Sequence, residues 1–554
     1  MKKFSNILIA GVLATFSLTS CERDLTSLNE DPKHPSVLQS KSLLATGQYQ
    51  SSYYMHTGSV NFNNYRFFVQ QWAETTYIDE TNYDLVTRNQ PRNNWNRMYV
   101  YSLNNFEQAK KNLATESNTP AMQNNKWATL EISQLFVWEN IVDTYGDVPY
   151  FNALNADEGQ FAPKYDDAKT IYTDLLKRLD AAIAKIDVSS SGYGDGDLIY
   201  AGDMTKWKHF ANSVKLRLAL NLADVDPTVS KAAAESAIAS GVLASENESY
   251  TFVFDKGTFT NPIFDDLVAS GRNDFVPTVL AVTTMDATND PRRHAYFAEN
   301  LSNALVEEQD TNPSNSSEQT ISVDEVPTTV SVGKRVYSYD PATEESKFYY
   351  GKVTAISGND ITIQLNDPNV KPDKNSYVGF EYYKGGTFGS KNPFGSRTHM
   401  NYYSKAKDAP AVLLGYTEVL FMRAEAAARG YNAGGGVSTF YNAALKASLK
   451  ENGVLDTEAN TYVVANPFDA TNWKKSIGTQ AWVALFNRGF AAWNFSRRLD
   501  YPAFVNPPNS KIEGVPVRMP YSDQEYVLNG TNVRAAASKI GGDKAVTKLF
   551  WDIH

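Results

Sequence analysis

Along most of the chain the apolar residues recur at helical spacing. Trp127, Leu130, Trp138, Ile141 and Tyr145 fall in one stripe, and Ile132, Leu135 and Val142 fall in a second beside it. Two stripes predict a helix packed on more than one side. Ala168, Ile171, Tyr172, Leu175, Leu179, Ala182, Ile183 and Ile186 keep the same period. Asp203 stands as an N-cap before Trp207, Phe210, Ala211, Val214, Leu218 and Leu222, with Pro227 just beyond. A further helix is expected to open at Pro410 and to carry Leu413, Tyr416, Leu420, Ala424 and Ala427, with Gly430 as its left-handed stop. After the loop at 430–436, Tyr441, Ala444, Leu445 and Ser448 resume the spacing, which predicts an antiparallel pair. Its alanines, Ala424, Ala426, Ala427 and Ala428, let the two axes approach closely. No fixed repeat length runs through the chain, so the pattern shows helix pairs rather than a regular array.

One region departs from this. Between 320 and 383 the residues read as strands: Val330 to Val332, Val336 to Tyr339, Phe348 to Ile356, Ile361 to Leu365 and Tyr377 to Tyr383. Ser357-Gly358-Asn359-Asp360 is a hairpin turn signal. The polar stretch from Glu307 to Glu318 reads as a linker. The expectation is a small β module of four or five strands, closed on itself and inserted at 320–383. The alternative is a set of extended loops lying on the helices.

The first residues carry a different pattern again. Lys2 and Lys3 precede an apolar run from Ile7 to Leu18, too short for a membrane span and of the length of a secretory signal. It ends in Leu18-Thr19-Ser20-Cys21, which is similar to a bacterial lipobox. That similarity implies a signal peptide at 1–20, lipidation of Cys21 and a lipid-anchored tether at 21–36, with the folded domain at 37–554. The alternative is an ordinary signal peptide that contains a cysteine. Several acyl chains together make such an anchor effectively permanent.

Composition narrows the chemistry. Cys21 is the one cysteine in 554 residues, which excludes an intrachain disulfide and any cysteine-pair metal or redox site. With 52 basic against 62 acidic residues the formal charge is −10, and no basic face offsets it, so nucleic acid is not an expected partner. The histidines, His34, His56, His209, His294, His399 and His554, never stand three or four apart, which removes the helical zinc-protease motif. Neither a Gly-x-Ser-x-Gly elbow nor a phosphate loop is present, and Gly192-Tyr-Gly-Asp-Gly lacks dinucleotide spacing. Asp195, Asp197 and Asp203 could hold a calcium ion, but no EF-hand loop follows, and a helix-entry loop accounts for them. No cofactor is expected.

Several ordered stretches together resemble the SusD/RagB family of surface nutrient-binding lipoproteins, closest to its SusD-like branch. They are Leu28-Asn29-Glu30-Asp31-Pro32, then Asp143-Thr144-Tyr145-Gly146-Asp147-Val148-Pro149-Tyr150, then Asp197 to Trp207 continuing through Leu218. Asn289-Asp290-Pro291-Arg292, Arg423 to Gly430, and Arg518-Met519-Pro520-Tyr521-Ser522 follow. The resemblance implies a mainly α fold of tetratricopeptide-like helix pairs with an irregular ligand-binding lobe. It also implies a non-catalytic role: capture of an oligosaccharide or oligopeptide, and delivery to a SusC-like TonB-dependent outer-membrane transporter that the protein covers as a lid. The implied location is the outer membrane, facing the cell exterior. The β-rich stretch departs from the family pattern. The matched motifs themselves read as scaffold, with Asp290 and Arg292 pairing to fix a turn.

A nutrient binder needs exposed aromatic faces together with amides and guanidinium groups. The stretch from Tyr77 to Trp95 holds these types without a helical stripe of its own, and Tyr77, Asn82, Tyr83, Arg88, Asn89, Arg92 and Trp95 are the expected ligand-binding residues. The alternative there is a solvated loop with Trp95 in the core. Tyr382, Tyr383, Phe388, Tyr402 and Tyr403 flank a Gly-rich loop and form a second candidate. A surface glycan hydrolase and a purely structural lid or adhesin are the competing functions.

Overall fold

The computed structural model describes residues 38–310, 316–401 and 406–554. Cys21, the signal at 1–20 and the tether at 21–36 lie outside the described residues, as do Tyr402 and Tyr403. Helices dominate the rest. In chain order the principal ones are α1 (Ser40–His56), α2 (Asn104–Leu113), α3 (Pro120–Tyr145), α4 (Ala168–Lys185), α5 (Met204–Asn221) and α6 (Pro227–Ala239). After the barrel described below come α7 (Tyr416–Ala428), α8 (Val437–Glu451), α9 (Asp456–Ala465), α10 (Trp473–Ala484) and α11 (Gly489–Leu499). They pack as pairs: α1 with α2, α3 with α4, α5 with α6, α7 with α8 and α10 with α11. The short loops inside the last three pairs make their axes antiparallel.

The helix at the centre is α3. Thr119 accepts a hydrogen bond from Met122 N at its start, Pro120 fills the first turn, and Gly146 at φ 84° ends it. Every residue from Ala128 to Tyr145 is buried, so the two apolar stripes report a helix enclosed on all sides. Its two buried acids, Glu139 and Asp143, are held by distant side chains. Arg217 on α5 donates to both oxygens of Glu139 at 2.6 Å and to Glu418 on α7 at 3.0 Å, all three being essentially without solvent contact. Asp143 accepts from Tyr172, Asn221, Asn494 and Trp551. Asp203 caps α5 through Thr205 N and Lys206 N, and Arg292 pairs with Asp290 and reaches Ser448 and Gln480.

Two short ladders accompany the helices. β1 (Trp72–Glu74) pairs with β3 (Phe275–Pro277), and β2 (Tyr250–Phe252) pairs with β10 (Ala411–Leu414). The second ladder corrects the expected helix start. Ala411 to Leu414 pair as a strand, and α7 begins at Tyr416 after Gly415. The β-compatible Ala-Val-Leu-Leu segment finds a partner strand in β2, and that pairing overrides a proline signal that is only local.

The β module is a closed antiparallel barrel of six strands, one more than the upper expectation. They are β4 (Asn300–Gln309), β5 (Glu318–Val323), β6 (Arg335–Tyr339), β7 (Tyr349–Ser357), β8 (Asp360–Leu365) and β9 (Tyr377–Tyr382), in spatial order β4-β5-β8-β7-β6-β9 and back to β4. The module therefore opens at Asn300 rather than at 320, and the start of the supposed linker from Glu307 is the end of β4. The terminal Glu307, Glu308 and Gln309 face solvent, which is why they read as a linker. Val330 to Val332 form no strand. The barrel has its own core, including Val306, Ile321, Val336, Val353, Ile363, Val378 and Phe380.

Candidate functional site

The segment from Thr75 to Asn89 leaves β1 and crosses the surface before the helix that carries Trp95. Three distant stretches hold it. Thr75 N donates to Asp274 O at 2.9 Å and its hydroxyl donates to Asn273 O at 2.7 Å. Asn392 N donates to Thr75 O, and its side chain donates to Glu74 O at 3.0 Å. Asn82 donates to Gly389 O at 3.0 Å, while its own carbonyl accepts from Lys511 N at 2.8 Å. Tyr77 and Phe394 thus sit on loops joined by the bond between Asn392 and Thr75. Tyr77 is 61 % exposed. Phe394 and His399 are half-buried and stack almost parallel, with centroids 3.7 Å apart. Arg397 lies between them in sequence and is half-exposed, its Nε anchored by Asn392 at 3.4 Å. The rim accordingly offers aromatic faces and a guanidinium, on a base fixed by hydrogen bonds.

Beneath the rim lie two facing carboxylates. Glu74 Oε2 accepts from both the amide and the hydroxyl of Thr81, at 3.0 and 2.7 Å, and Glu80 Oε1 accepts from Arg88 and Gln90 at 2.6 and 2.9 Å. Burial, and then the neighbouring Glu80, push the Glu74 carboxyl up to about 9, so it keeps its proton at neutral pH.

The structure separates the expected ligand residues. Tyr77 and Asn89 are exposed, the latter in the left-handed region at φ 53°. Arg88 is partly exposed and already paired with Glu80 and Asp79. Asn82 and Tyr83 are buried and belong to the scaffold. Tyr83 is 1 % exposed, its hydroxyl accepts from Gln70 at 2.9 Å, and its ring packs 5.7 Å from that of Phe388. Arg92 and Trp95 face another side. Arg92 pairs with Asp523, and Trp95 is buried among Tyr99, Tyr145, Tyr165 and Tyr521, beside a groove of about 230 Å³ that also touches Phe161 and Leu528.

In the second candidate set, Phe388 and Tyr382 are half-buried and Tyr383 is buried. The Tyr383 hydroxyl shares a hydrogen bond with His294 Nδ1 at 2.9 Å. His294, Glu299 and Glu381 are the one group of metal-ligand type found among the described residues, with ligand atoms within 4.8 Å of one another. Arg293 and Arg335 already pair with its carboxylates, at 2.9 and 3.4 Å, so the cluster joins the barrel to the helical body. The aspartates considered for calcium have protein donors: Lys41 on Asp195, Gln48 and Trp207 on Asp197, and the helix amides on Asp203. A separate cavity of about 410 Å³ lies among His56, Tyr296, Glu451 and Arg488. Burial holds His56 down at about 3, helped by Arg66 and Arg488. Phe394, Arg397 and His399 were not among the expected residues. The signal for them was an aromatic inside the Pro- and Gly-containing run Lys391 to Arg397.

A family model described as starch-binding and associating with outer membrane matches residues 32–324 and 354–522. The chain belongs to the SusD-like family. No curated protein matches it. Solved SusD-like structures share the fold. A chitin-binding protein has a TM-score of 0.68 at 23 % identity, covering 93 % of this chain and 100 % of its own. A chitin-binding SusD homologue from Flavobacterium johnsoniae has 0.63 at 21 %, covering 93 % and 98 %. A SusD homologue from Bacteroides thetaiotaomicron has 0.66 at 18 %, covering 92 % and 99 %. The SusD-like family model passes over residues 325–353, which include β6 and the start of β7. Among the described residues no helix is long and apolar enough to cross a membrane.

Proposed function

We propose that this SusD-like chain is a non-catalytic, lipid-anchored surface protein that captures an oligosaccharide at the rim of Tyr77 and Phe394 and delivers it to a TonB-dependent outer-membrane transporter, which it covers as a lid. The observation that carries the reading is Tyr77, an exposed ring on a segment that distant residues hold on both flanks, at Thr75 and at Asn82. A sugar ring stacks on such a face without the protein having to order it, which is where a preformed site gains affinity. Relatives described as chitin-binding favour a glycan over a peptide. The carboxylates of the region already have cationic partners, Asp79 and Glu80 in Arg88 and Asp274 in Arg272, which supports binding rather than hydrolysis.

The test is calorimetric titration of soluble malto- and chito-oligosaccharides into the wild-type protein and into Tyr77→Ala/Phe394→Ala. The pair of substitutions is expected to weaken binding roughly tenfold or more, at about 0.5–1.5 kcal/mol for each lost ring contact, with an unchanged unfolding midpoint. Equal affinities would remove the site from this rim. Affinity purification from native membranes is expected to recover a transporter barrel with the protein.

A further inference from the structure

The barrel carries a surface of its own. On β4, β6 and β9 the residues between the core positions point outward: Leu301, Asn303 and Leu305, then Arg335, Tyr337 and Tyr339, then Tyr377, Gly379 and Glu381. Register aligns them in rows. Asn303 stands opposite Gly379, Gly379 opposite Tyr337, and Tyr337 opposite Tyr349. In the next row Leu305 stands opposite Tyr377, and Tyr377 opposite Tyr339.

Gly379 shapes this surface. A β-carbon there would lie 3.3 Å from the Tyr339 ring and 3.3 Å from Leu301, so both side chains lean over the glycine and the tyrosine lies down on the sheet. A ring in that position keeps one face on the backbone and turns the other outward, and Tyr339 is half-exposed. Tyr337 and Tyr349 are half-buried beside it, with centroids 5.5 Å apart, and Tyr377 is half-buried too.

The tyrosines of this strip are uncharged, and the charges at its inner end already have partners: Arg335 with Glu299 and the Tyr337 hydroxyl, its guanidinium lying 5.5 Å from the Tyr349 ring, Glu381 with Arg293, and Lys352 with Glu458. An anionic ligand would find no free cation there. Such a surface suits a ligand with apolar ring faces and hydroxyl edges.

We propose that the tyrosine strip of Tyr337, Tyr339, Tyr349 and Tyr377 is a second glycan-binding platform, which takes a run of neutral hexose units from a polysaccharide. Tyr337, Tyr339 and Tyr349 lie inside the segment that the family model passes over, and Tyr377 lies in the part that it matches. The inference rests on the glycan reading above but concerns a different surface.

Native gel electrophoresis of the full chain through amylopectin or glycol chitin tests it. Tyr339→Ala/Tyr377→Ala is expected to reduce retardation roughly tenfold in apparent affinity, by loss of two stacking faces. Tyr339→Phe keeps the ring and is expected to retain binding. Gly379→Val keeps every tyrosine but props the Tyr339 ring off the sheet, and it is expected to weaken retardation also, which covers the case in which the alanine variant fails to fold. Both platform variants should leave the calorimetric titration with short oligosaccharides at the Tyr77 rim unchanged. Retardation equal to wild type in folded platform variants overturns the platform and leaves the rim intact. A wild-type chain that neither gel retards overturns the platform, and the short-oligosaccharide titration then decides the rim separately.

Discussion

Glu74 and Glu80 show what a single proton does under the binding rim. Glu80 Oε2 has no donor other than a proton on Glu74, and the Glu74 carboxyl is raised to about 9. In the unfolded chain the same group ionises near the ordinary carboxylate value, so between that value and about 9 the folded state holds the extra proton. Stability from this group is therefore fully present at acid pH and is lost as pH rises through that window. Glu74→Gln replaces the shared proton with an amide donor. It is expected to raise the unfolding midpoint at pH 8 and to leave it nearly unchanged at pH 4.5, as followed by circular dichroism; parallel curves for the two proteins would refute the shared proton. Some single residues were legible without coordinates. Asp203 as a cap and Asp290 with Arg292 as a turn are local arrangements, written within a few positions of each other. Tyr77 and Tyr83 were not distinguishable, because what buries Tyr83 is Gln70, Phe68 and Phe388, and no loop periodicity records those contacts.

Elements meet through buried charge as well as apolar area. Arg217 joins α5 to α3 through Glu139 and to α7 through Glu418, with side-chain exposures of 1 %, 0 % and 0 %. Removing the cation leaves two carboxylates in a dry interior, and breaking such a set costs about 3–5 kcal/mol. Arg217→Leu is thus expected to unfold at much lower denaturant than wild type. Glu139→Gln/Arg217→Leu/Glu418→Gln, which removes all three charges, is expected to recover part of the loss, and a triple variant no better than the single one would show that packing rather than charge is the cause. The two stripes of α3 announced its burial correctly, yet the helix gave no hint that Glu139 and Asp143 would sit inside, since their partners lie 29 or more positions away, on other elements. The barrel shows the same limit from the other side. Its inner strands alternate plainly, while β4 holds Asn300, Ser302 and Asn303 in its first half and closes on Glu307, Glu308 and Gln309, so the pattern began late.

At the scale of the molecule, the chain passes between the SusD-like body and the barrel at one place, with ion pairs from Lys334 to Asp286 and from Lys352 to Glu458 beside it. Asn300 and Tyr382, the first and last barrel residues, face each other in register, as do Leu301 and Glu381. Cutting out residues 303–379 and closing the gap with a Gly-Gly turn keeps the Leu301 and Glu381 pair and the Arg293 bond to Glu381. The shortened protein is expected to keep its helical spectrum and its Tyr77-rim affinity, measured by circular dichroism and calorimetry. Loss of the helical signal would mean that the barrel is part of the fold rather than a branch from it. The overall architecture was readable because the family motifs are spread in order over the chain. The barrel was readable only as an interruption of them. Its closed register also sets a thermodynamic linkage. While the barrel is folded, the body has to close only a tight turn between Asn300 and Tyr382; if the barrel melted first, the body would have to hold together the ends of a long flexible loop, roughly four doublings longer, at about 0.6 kcal/mol per doubling. The barrel's own stability is thereby worth about 2–3 kcal/mol to the helical body through loop closure alone.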